Sequence, residues 1–331
     1  MLCAVIKNYG EALDNLVVEE RPDVVAAGED VRVSVAATAL NRADLLQRRG
    51  MYPPPPGVPE HARDIPGLEF TGRIDQVGEG VTRWSGGERV FGIVAGGGYA
   101  AQVVTHQDLV MEVPERLGDE EAAAVPEAFV TAFDALVLQS QMQAGDLVLV
   151  HAVASGVGTA AVQLVHAWEA RAIGTAGSRY KLDKVQGLAP FAAINRREAD
   201  FQEAVEAEFG PDAVDIILDV VGASYWRRNL ALLAPGGRLI VVGCLGGSDA
   251  EIPLRTLMSR RLRVTGTVLR PRSVREKIGV TREFESRVLP LFGEGRLNSV
   301  VDSVYPFSDL RRATARMEND ENVGKIVLTF G

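Results

Sequence analysis

The segment DLVLVHAVASGVG, residues 146–158, joins an apolar strand to a helix through a turn of small residues. Its run Leu147–Val150 is apolar on both faces, which is typical of a strand in a parallel sheet that helices cover on both sides. In the dinucleotide-binding fingerprint G-x-G-x-x-G, the glycines allow a tight turn, close approach of a pyrophosphate and packing of helix on strand. Val153 and Ser155 occupy the first two glycine positions here, and Gly158 keeps the third.

Free backbone N–H groups at the start of a helix can hold a phosphate even where the glycine pattern is incomplete. The residues that we expect to bind the pyrophosphate are Ser155, Gly156, Val157 and Gly158. The alternative is an ordinary strand-to-helix turn without a ligand. We favour the phosphate site because the turn belongs to a complete unit of strand, helix and strand.

Strand and helix patterns alternate after this turn, and an apolar run with helical spacing, Ala128–Leu138, precedes it. We predict helices over 158–168, 179–187, 200–209 and 225–233, and strands over 170–175, 213–221, 237–243 and 262–269. Such alternation is typical of a doubly wound α/β domain with a parallel sheet. We place this nucleotide-binding domain at residues 125–268.

The two ends of the chain are rich in strand patterns instead. Val31, Val33 and Val35 alternate with polar residues, which predicts a strand with one buried face. The segment 52–59 carries five prolines and is predicted to be a stiff extended loop. Because strands are also predicted over 300–305 and 325–330, we expect residues 1–124 and 269–331 to form one domain.

The end of the strand 170–175 indicates which dinucleotide the chain binds. Enzymes that use NAD usually place an Asp or Glu there for the ribose hydroxyls, whereas this chain has TAGSRYK at 175–181. The hydroxyl of Ser178 and two cations, Lys181 and Arg196 in a later loop, suit a 2′-phosphate. The missing carboxylate predicts NADPH. In the alternative interpretation, the cations only solvate the surface.

Composition excludes several classes of partner. The formal net charge of −9 disfavours binding to nucleic acid or to an anionic membrane surface. No apolar run approaches the roughly 20 residues of a membrane span, and the start of the chain does not resemble a signal peptide. We therefore expect a cytoplasmic protein. Cys3 and Cys244 both lie in apolar runs and are expected to be buried.

The histidines and cysteines do not have the spacing of metal ligands. The four histidines are His61, His106, His151 and His166, and there is no run of closely spaced cysteines. A zinc site needs several such ligands to converge. We therefore expect no metal, and we expect His151 and His166 to have structural roles beside the turn.

Seven motifs spread over nearly the whole chain carry a family resemblance. They are ALNRAD at 39–44, Tyr52 with its proline loop, GLE at 67–69, GEGV at 78–81, HAVASGVGTAA at 151–161, DVVG at 219–222 and NVGKIV at 322–327. Together they resemble the zinc-free quinone oxidoreductases, the zeta-crystallin-like family of the medium-chain dehydrogenase/reductase superfamily. Zinc-dependent relatives would carry a cysteine near Asn41 and a histidine at Leu68, and this chain has neither.

The resemblance implies a GroES-like β-rich catalytic domain made of both termini, a Rossmann domain between them in sequence, and a homodimer formed through the strand 262–269. It implies that the catalytic residues are Asn41, Asp44 and Tyr52. It further implies that Thr131 and Ser155 lie near the nicotinamide and phosphates, that Gly177, Ser178, Lys181 and Arg196 hold the adenosine phosphate, and that Gly243, Leu269 and Asn322 complete the nicotinamide end. Relatives often carry a tyrosine where this chain has Arg196.

The expected function is therefore NADPH-dependent reduction of a quinone-like acceptor without a metal. Tyr52, Asn41 or a bound water would stabilise or protonate the carbonyl oxygen that becomes negative. Each residue also has a structural alternative, since Asn41 could cap a turn, Asp44 could start a helix and Tyr52 could pack on the prolines. Reduction of an enone or enoyl thioester, and a cofactor-binding protein with little turnover, remain open as alternative functions.

Overall fold

The computed structural model describes residues 1–331, which form fifteen strands and eleven α-helices. The strands are β1 (Leu2–Ile6), β2 (Leu16–Glu20), β3 (Asp30–Ala39), β4 (Glu69–Val77), β5 (Arg89–Ile93), β6 (Gln102–His106), β7 (Val110–Glu112), β8 (Leu147–Val150), β9 (Arg171–Ala176), β10 (Phe191–Asn195), β11 (Val214–Asp219), β12 (Leu233–Val241), β13 (Arg263–Gly266), β14 (Val301–Pro306) and β15 (Lys325–Thr329). The helices are α1 (Arg42–Arg48), α2 (Asp119–Ala123), α3 (Pro126–Phe133), α4 (Gly156–Ala167), α5 (Arg179–Val185), α6 (Phe201–Phe209), α7 (Trp226–Leu232), α8 (Leu254–Arg260), α9 (Val274–Arg287), α10 (Leu289–Gly293) and α11 (Leu310–Glu318).

The chain divides into two compact units. Unit 1 comprises Met1–Val130 and Leu269–Gly331, and unit 2 comprises Thr131–Val268. The first division lies at residue 130, whereas the sequence pattern placed it at 124. The start of α3 belongs to unit 1 because Phe129 packs edge-on against Phe292, with ring centroids 4.8 Å apart.

Unit 2 contains a six-stranded parallel sheet in the order β10-β9-β8-β11-β12-β13. Numbered within the unit, this is the Rossmann order 3-2-1-4-5-6, so the predicted doubly wound fold is confirmed. The strands β8 and β11 lie at the centre, and every residue of Leu147–Val150 is buried. The strand order reverses between these two, and ligands of such sheets bind outside the carboxyl ends at this point. The turn after Val150 starts there.

Two strands of this sheet differ from the sequence expectation. Residues 191–195 form β10, which pairs in parallel with β9, although the segment around Ile194 was expected to be a loop. This strand is short and only half-buried at most positions, so its apolar pattern is weak. The strand expected over 262–269 is shorter, because pairing of β13 with β12 ends at Gly266. Because β10 ends at Asn195, Arg196 follows directly after a strand of the sheet.

Unit 1 is built on a seven-stranded sheet in the order β14-β15-β3-β4-β5-β7, with β6 also paired to β3. Its C-terminal strand β15 runs antiparallel to β3, with Val327 opposite Ala39. The two β-rich ends of the chain therefore share one sheet, as the GroES-like fold requires. Val31, Val33 and Val35 of β3 point into the core.

Two other features complete the fold. Cys3 is buried as expected, but Cys244 is exposed, because it follows β12 in a glycine-rich loop rather than continuing the strand. None of the eleven helices has both the length and the apolar character that a membrane crossing would need.

Candidate functional site

The turn after β8 leaves backbone donors available at the start of α4. Ser155 caps this helix, and its Oγ accepts a hydrogen bond from the N–H of Gly158 at 3.0 Å. The N–H groups of Gly156 and Val157 belong to the first turn and have no partner within the helix. Both residues are partly exposed. These two N–H groups, at the positive end of a 12-residue helix, fit a phosphate group.

Gly158 has a packing role in the same turn. A Cβ atom at this position would lie 2.3 Å from the carbonyl oxygen of Ala152 and 2.7 Å from the Cα of Val153. Only glycine therefore allows α4 to approach the end of β8 this closely. This accounts physically for the one glycine of the fingerprint that the chain keeps.

His151 lies directly behind the turn and is fully buried. Its Nε2 lies 2.8 Å from Oδ1 of Asn229, whose Nδ2 donates to Asp219 at 3.1 Å. Because the Oδ1 atom can only accept, Nε2 of His151 must carry the proton, and Nδ1 must accept from the hydroxyl of Thr175 at 3.0 Å. Burial lowers the pKa of His151 to about 4, so the ring is neutral at pH 7.

This chain of contacts, which we call the unit 2 network, fixes the carboxyl ends of three strands. The carbonyl of Thr175 accepts from the N–H of Val153 at 2.9 Å, which joins β9 to the turn. Asp219 at the end of β11 accepts from the N–H groups of Val221 and Gly222 at 2.7 and 3.1 Å. Asn229 gave no signal in the sequence. The DVVG motif was the only indication of the position of Asp219.

The expected 2′-phosphate residues come together at the ends of β9 and β10. The Nη2 atom of Arg196 lies 3.2 Å from the point where a Cβ of Gly177 would stand. Ser178 is adjacent, and its Oγ accepts from the N–H of Lys181 at 3.3 Å. The guanidinium of Arg196 is exposed and forms no ion pair or side-chain hydrogen bond with the chain, whereas Arg179 is paired with its helix neighbour Asp183.

The other residues that we expect to contact the coenzyme form no hydrogen bonds with one another. In unit 2, Thr131 is half-buried in α3, and Gly243 lies in the loop after β12, close to Val220. In unit 1, Leu269 is buried, and Nδ2 of Asn322 donates to the carbonyl of Gly324 at 2.8 Å. Their proposed roles therefore rest on the family resemblance.

In unit 1, Asn41 belongs to a buried charged network centred on Glu69. The side chain of Glu69 has no exposed surface, and its Oε1 accepts from Asn41 Nδ2 at 2.8 Å and from Lys325 Nζ at 2.7 Å. Its Oε2 accepts from the backbone N–H of Glu127 at 2.8 Å. Lys325 also donates to Oδ1 of Asn41 and to the carbonyl of Leu40. Both polar atoms of the Asn41 amide are thus occupied.

Asp44 is buried beside this group, and both of its oxygens accept hydrogen bonds. They come from the backbone N–H groups of Asn41 and Gly67, at 2.8 and 3.2 Å, and from the hydroxyl of Tyr99 at 2.8 Å. Burial raises the pKa of Asp44 to about 6, although these hydrogen bonds oppose the rise. Gly67 has φ +95°, and a Cβ there would lie 2.5 Å from the backbone nitrogen of Tyr99, so glycine is required.

Tyr52 is half-buried against a cation that the sequence reasoning missed. The guanidinium of Arg270 lies over its ring at 4.8 Å and donates to the carbonyl of Tyr52 at 2.9 Å. Arg270 also donates to Gln47 Oε1 and to the carbonyl of Ala95, both at 2.7 Å. Burial and the charge of Glu127 raise the pKa of the Tyr52 hydroxyl, so it remains protonated near pH 7.

Glu127 was also missed, because nothing in its local sequence marks it. It stands in the first turn of α3, partly exposed, and its carboxyl group has no hydrogen bond or ion pair within the chain. Burial and the charge of Glu69 raise its pKa to about 8, while Lys325 opposes this rise. An acid with such a pKa can release and recover a proton near neutral pH.

No group of three or more His, Cys, Asp or Glu side chains is arranged to hold a metal ion. Leu68, where the family resemblance led us to expect a histidine in a zinc-dependent enzyme, is a buried apolar residue. His61 and His166 are exposed, and neither has the companion ligands that a metal ion would need.

Comparisons with known proteins agree with the fold of the two units. Residues 27–115 match the family "Alcohol dehydrogenase GroES-like domain", and residues 156–293 match "Zinc-binding dehydrogenase". Quinone oxidoreductase of Rattus norvegicus is 30% identical over 300 residues, covering 90% of this chain and 88% of that protein. The structure of Escherichia coli quinone oxidoreductase complexed with NADPH aligns with a TM-score of 0.88 at 26% identity, covering all of both chains. The CurK enoyl reductase also aligns with a TM-score of 0.88, at 27% identity, covering 100% of this chain and 99% of that one.

Proposed function

Because the chain belongs to the zinc-free quinone oxidoreductase-like family of the medium-chain dehydrogenase/reductase superfamily, we propose that it uses NADPH to reduce a quinone-like acceptor. The observation that carries the coenzyme assignment is the exposed, unpaired guanidinium of Arg196 beside Gly177 and Ser178. No carboxylate stands at the end of β9, where an enzyme specific for NAD would bind the ribose hydroxyls.

The residues of unit 2 suit each part of this coenzyme. The N–H groups of Gly156 and Val157 would bind the pyrophosphate, and Ser178, Lys181 and Arg196 would bind the 2′-phosphate. When bound, NADPH supplies a hydride from its nicotinamide ring. The unit 2 network holds the turn rigid, because each of its members is satisfied by a fixed partner.

Tyr52 is the proposed hydrogen-bond donor to the acceptor in unit 1. Reduction of a carbonyl places negative charge on its oxygen, and a protonated hydroxyl stabilises that charge. Asn41 and Asp44 were expected to act alongside it, but their polar atoms are already engaged by Glu69, Lys325 and neighbouring groups. We therefore propose that they position this region. By family resemblance, we also propose that Thr131, Gly243, Leu269 and Asn322 lie at the nicotinamide end.

We further propose that unit 2 forms a homodimer through β13. This strand is at the edge of its sheet, so its outer backbone groups are unpaired by any neighbouring strand. Exposed apolar side chains lie on and near it: Leu254, Met258, Val264 and Val268. Light scattering should give twice the monomer mass, and Val264→Lys should shift the protein towards monomer. A monomeric unaltered protein would contradict this proposal.

Binding of the two coenzymes tests the coenzyme assignment. In the Lys181→Ala/Arg196→Ala double variant, we expect the Kd for NADPH to rise about 100-fold, since hydrogen bonds to charged groups contribute about 1.5–3 kcal/mol each. The Kd for NADH should change little. Arg171→Ala, at the opposite end of β9, is the control and should bind both coenzymes normally. Equal losses for both coenzymes in the double variant would contradict the assignment.

A panel of acceptors separates the candidate reactions. NADPH oxidation should be fastest with 9,10-phenanthrenequinone or 2-methyl-1,4-naphthoquinone. The similarity to CurK supports a second candidate, reduction of an enoyl thioester, for which crotonyl-CoA is the probe. Preference for the thioester would replace the quinone proposal. Tight NADPH binding without consumption of any acceptor would instead indicate a coenzyme-binding protein with little turnover.

A further inference from the structure

Arg270 is a buried cation for which the proposed reaction has so far no role. It is 4% exposed, and each of its three side-chain nitrogens donates a hydrogen bond within unit 1. Nε donates to the carbonyl of Ala95 at 2.7 Å, Nη1 to the carbonyl of Tyr52 at 2.9 Å, and Nη2 to Oε1 of Gln47 at 2.7 Å. Arg270 therefore joins the C-terminal segment of unit 1 to three separate points of its N-terminal segment.

The partners of Arg270 differ from those of the other buried arginine of the chain. Arg48 is paired with a carboxylate, that of Glu318. Arg270 forms no ion pair, and its hydrogen-bond acceptors are two carbonyl groups and one amide. A buried charge is costly unless its surroundings compensate it, and joining three segments would not by itself require a charge.

The fourth partner of the guanidinium is the ring of Tyr52. The Cζ atom of Arg270 lies over this ring, 4.8 Å from its centroid, which is within the range of a cation–π attraction. Gln47 fixes the guanidinium in turn, because its Nε2 donates to the carbonyl of Arg63 at 3.3 Å while its Oε1 accepts from Arg270. Arg270 thus holds Tyr52 at two points, the backbone carbonyl and the ring.

This arrangement leaves the hydroxyl of Tyr52 available. It forms no hydrogen bond within the chain, unlike the hydroxyl of Tyr99, which donates to Asp44 at 2.8 Å. Burial raises the pKa of the Tyr52 hydroxyl, and the charge of Arg270 opposes this rise. A phenol beside a cation is also a stronger hydrogen-bond donor than the same phenol without one.

We propose that Arg270 is a positioning residue, which holds the ring of Tyr52 so that its hydroxyl donates to the oxygen of the acceptor. This inference rests on the proposed function, in which Tyr52 stabilises the negative charge on that oxygen. Arg270 acts through Tyr52 and does not touch the acceptor. Its effect on the rate should therefore depend on the presence of the Tyr52 hydroxyl.

The first test needs no turnover. When 3-fluorotyrosine replaces the six tyrosines, the ¹⁹F resonance of Tyr52 is identified by its absence from Tyr52→Phe. In Arg270→Met this resonance should move towards the shift of free 3-fluorotyrosine. Arg21→Met, which removes an arginine paired with Glu19 and Asp64, is the matched control and should leave the resonance in place. An unmoved Tyr52 resonance in Arg270→Met would overturn the proposal.

The second test is a double-mutant cycle on NADPH oxidation with 9,10-phenanthrenequinone. Tyr52→Phe should lower kcat about 100-fold, the typical loss when one donor to a developing oxyanion is removed. Arg270→Met should lower kcat about 10- to 100-fold, with KM for the quinone unchanged, because a misplaced group costs transition-state stabilisation.

The cycle shows whether Arg270 acts through Tyr52. In the Tyr52→Phe background, Arg270→Met should lower kcat by less than about twofold further, because the hydroxyl that it positions is already gone. Arg21→Met should change kcat little in either background. Additive losses for Arg270→Met and Tyr52→Phe would show that Arg270 only supports the fold, and would overturn the proposal.

Arg270→Lys keeps the proposal testable if circular dichroism shows that Arg270→Met does not fold. Lysine retains the charge but lacks the planar fork that reaches three acceptors. Its kcat should fall between those of the unaltered protein and Tyr52→Phe, again without a further loss in the Tyr52→Phe background. An unchanged kcat or an additive loss in Arg270→Lys would overturn the proposal.

The outcomes distinguish the two proposals. If the unaltered protein reduces a quinone and Tyr52→Phe is slow, an additive cycle overturns the role of Arg270 alone. If no acceptor in the panel is consumed, the proposed function is overturned, and the ¹⁹F spectra still show whether Arg270 holds the ring of Tyr52.

Discussion

The two units bury polar networks of opposite character beside their proposed functional residues. In unit 1 the buried network is charged, with Glu69 paired to Lys325 and an unpaired acid, Glu127, next to it. In unit 2 the network of Asp219, Asn229, His151 and Thr175 includes a histidine that burial keeps neutral. The difference teaches that the neutral network leaves no member without a partner, whereas the charged network leaves one acid, Glu127, without an ion pair.

The two networks should also respond to pH in opposite directions. Burial lowers the pKa of His151 below its unfolded value, so its contribution to stability is present above about pH 6.5 and is lost towards pH 4. Burial raises the pKa values of Glu127 and Asp44, so their contribution is present at low pH and is lost as pH rises through the folded values of about 8 and 6.

The largest effect should come from breaking the charged network. Lys325→Met leaves Glu69 buried without a counter-charge, which we expect to lower the free energy of unfolding of unit 1 by about 3–5 kcal/mol. Native-state hydrogen exchange at the amides of β4 measures this. Arg42→Met, which removes a surface ion pair with Asp320, is the control and should have a much smaller effect. Equal effects would show that burial does not distinguish the two pairs.

The next effect concerns the neutral network. Between pH 7 and pH 4, unit 2 should lose about 3 kcal/mol of stability through His151, because one pKa unit corresponds to about 1.4 kcal/mol. Hydrogen exchange at the amides of β8 in the unaltered protein and in His151→Gln measures it. The variant should show a flatter pH dependence over this range. An identical pH dependence would mean that the pKa of His151 is the same in the folded and the unfolded protein.

A smaller effect of opposite sign is expected at Glu127. Between pH 6 and pH 9, the unaltered protein should lose on the order of 2 kcal/mol of stability relative to Glu127→Gln. The reason is that folded Glu127 keeps its proton up to about pH 8, whereas the glutamate of the unfolded chain is already ionised. Native-state hydrogen exchange at the amides of β4 in unit 1 measures this difference. If the difference in free energy of unfolding between the two proteins does not change with pH, the two networks do not respond to pH in opposite directions.

The smallest effect should come from one hydrogen bond of the neutral network. Thr175→Val leaves Nδ1 of His151 without its donor and should lower stability by about 1 kcal/mol. ¹⁵N spectra should also show a mixed tautomer in place of a single Nε2-protonated ring. Thr314→Val is a matched buried control, because its hydroxyl bonds only to the carbonyl of Leu310 in its own helix. The control should leave the histidine spectrum unchanged.

Much of the fold and part of the candidate site could be read from the sequence. The burial of Leu147–Val150 and of the alternating valines of β3 could be predicted, because a strand's periodicity is a local property of the sequence. Ser155 likewise predicted the start of α4, and Gly158 predicted the close approach of this helix to the residues after β8. The strand β10 was missed because its half-buried residues carry only a weak pattern.

The sequence by itself therefore determined the two-part architecture, the tight turn from β8 into α4 and the absence of an acid after β9. Only the tertiary structure decided which distant side chains share a network. Lys325 meets Asn41 across 284 positions of the chain because β15 pairs with β3, and no local pattern specifies that register. The neutral state of His151 and the raised pKa of Glu127 likewise follow from burial among groups on other elements, which only the folded chain brings together.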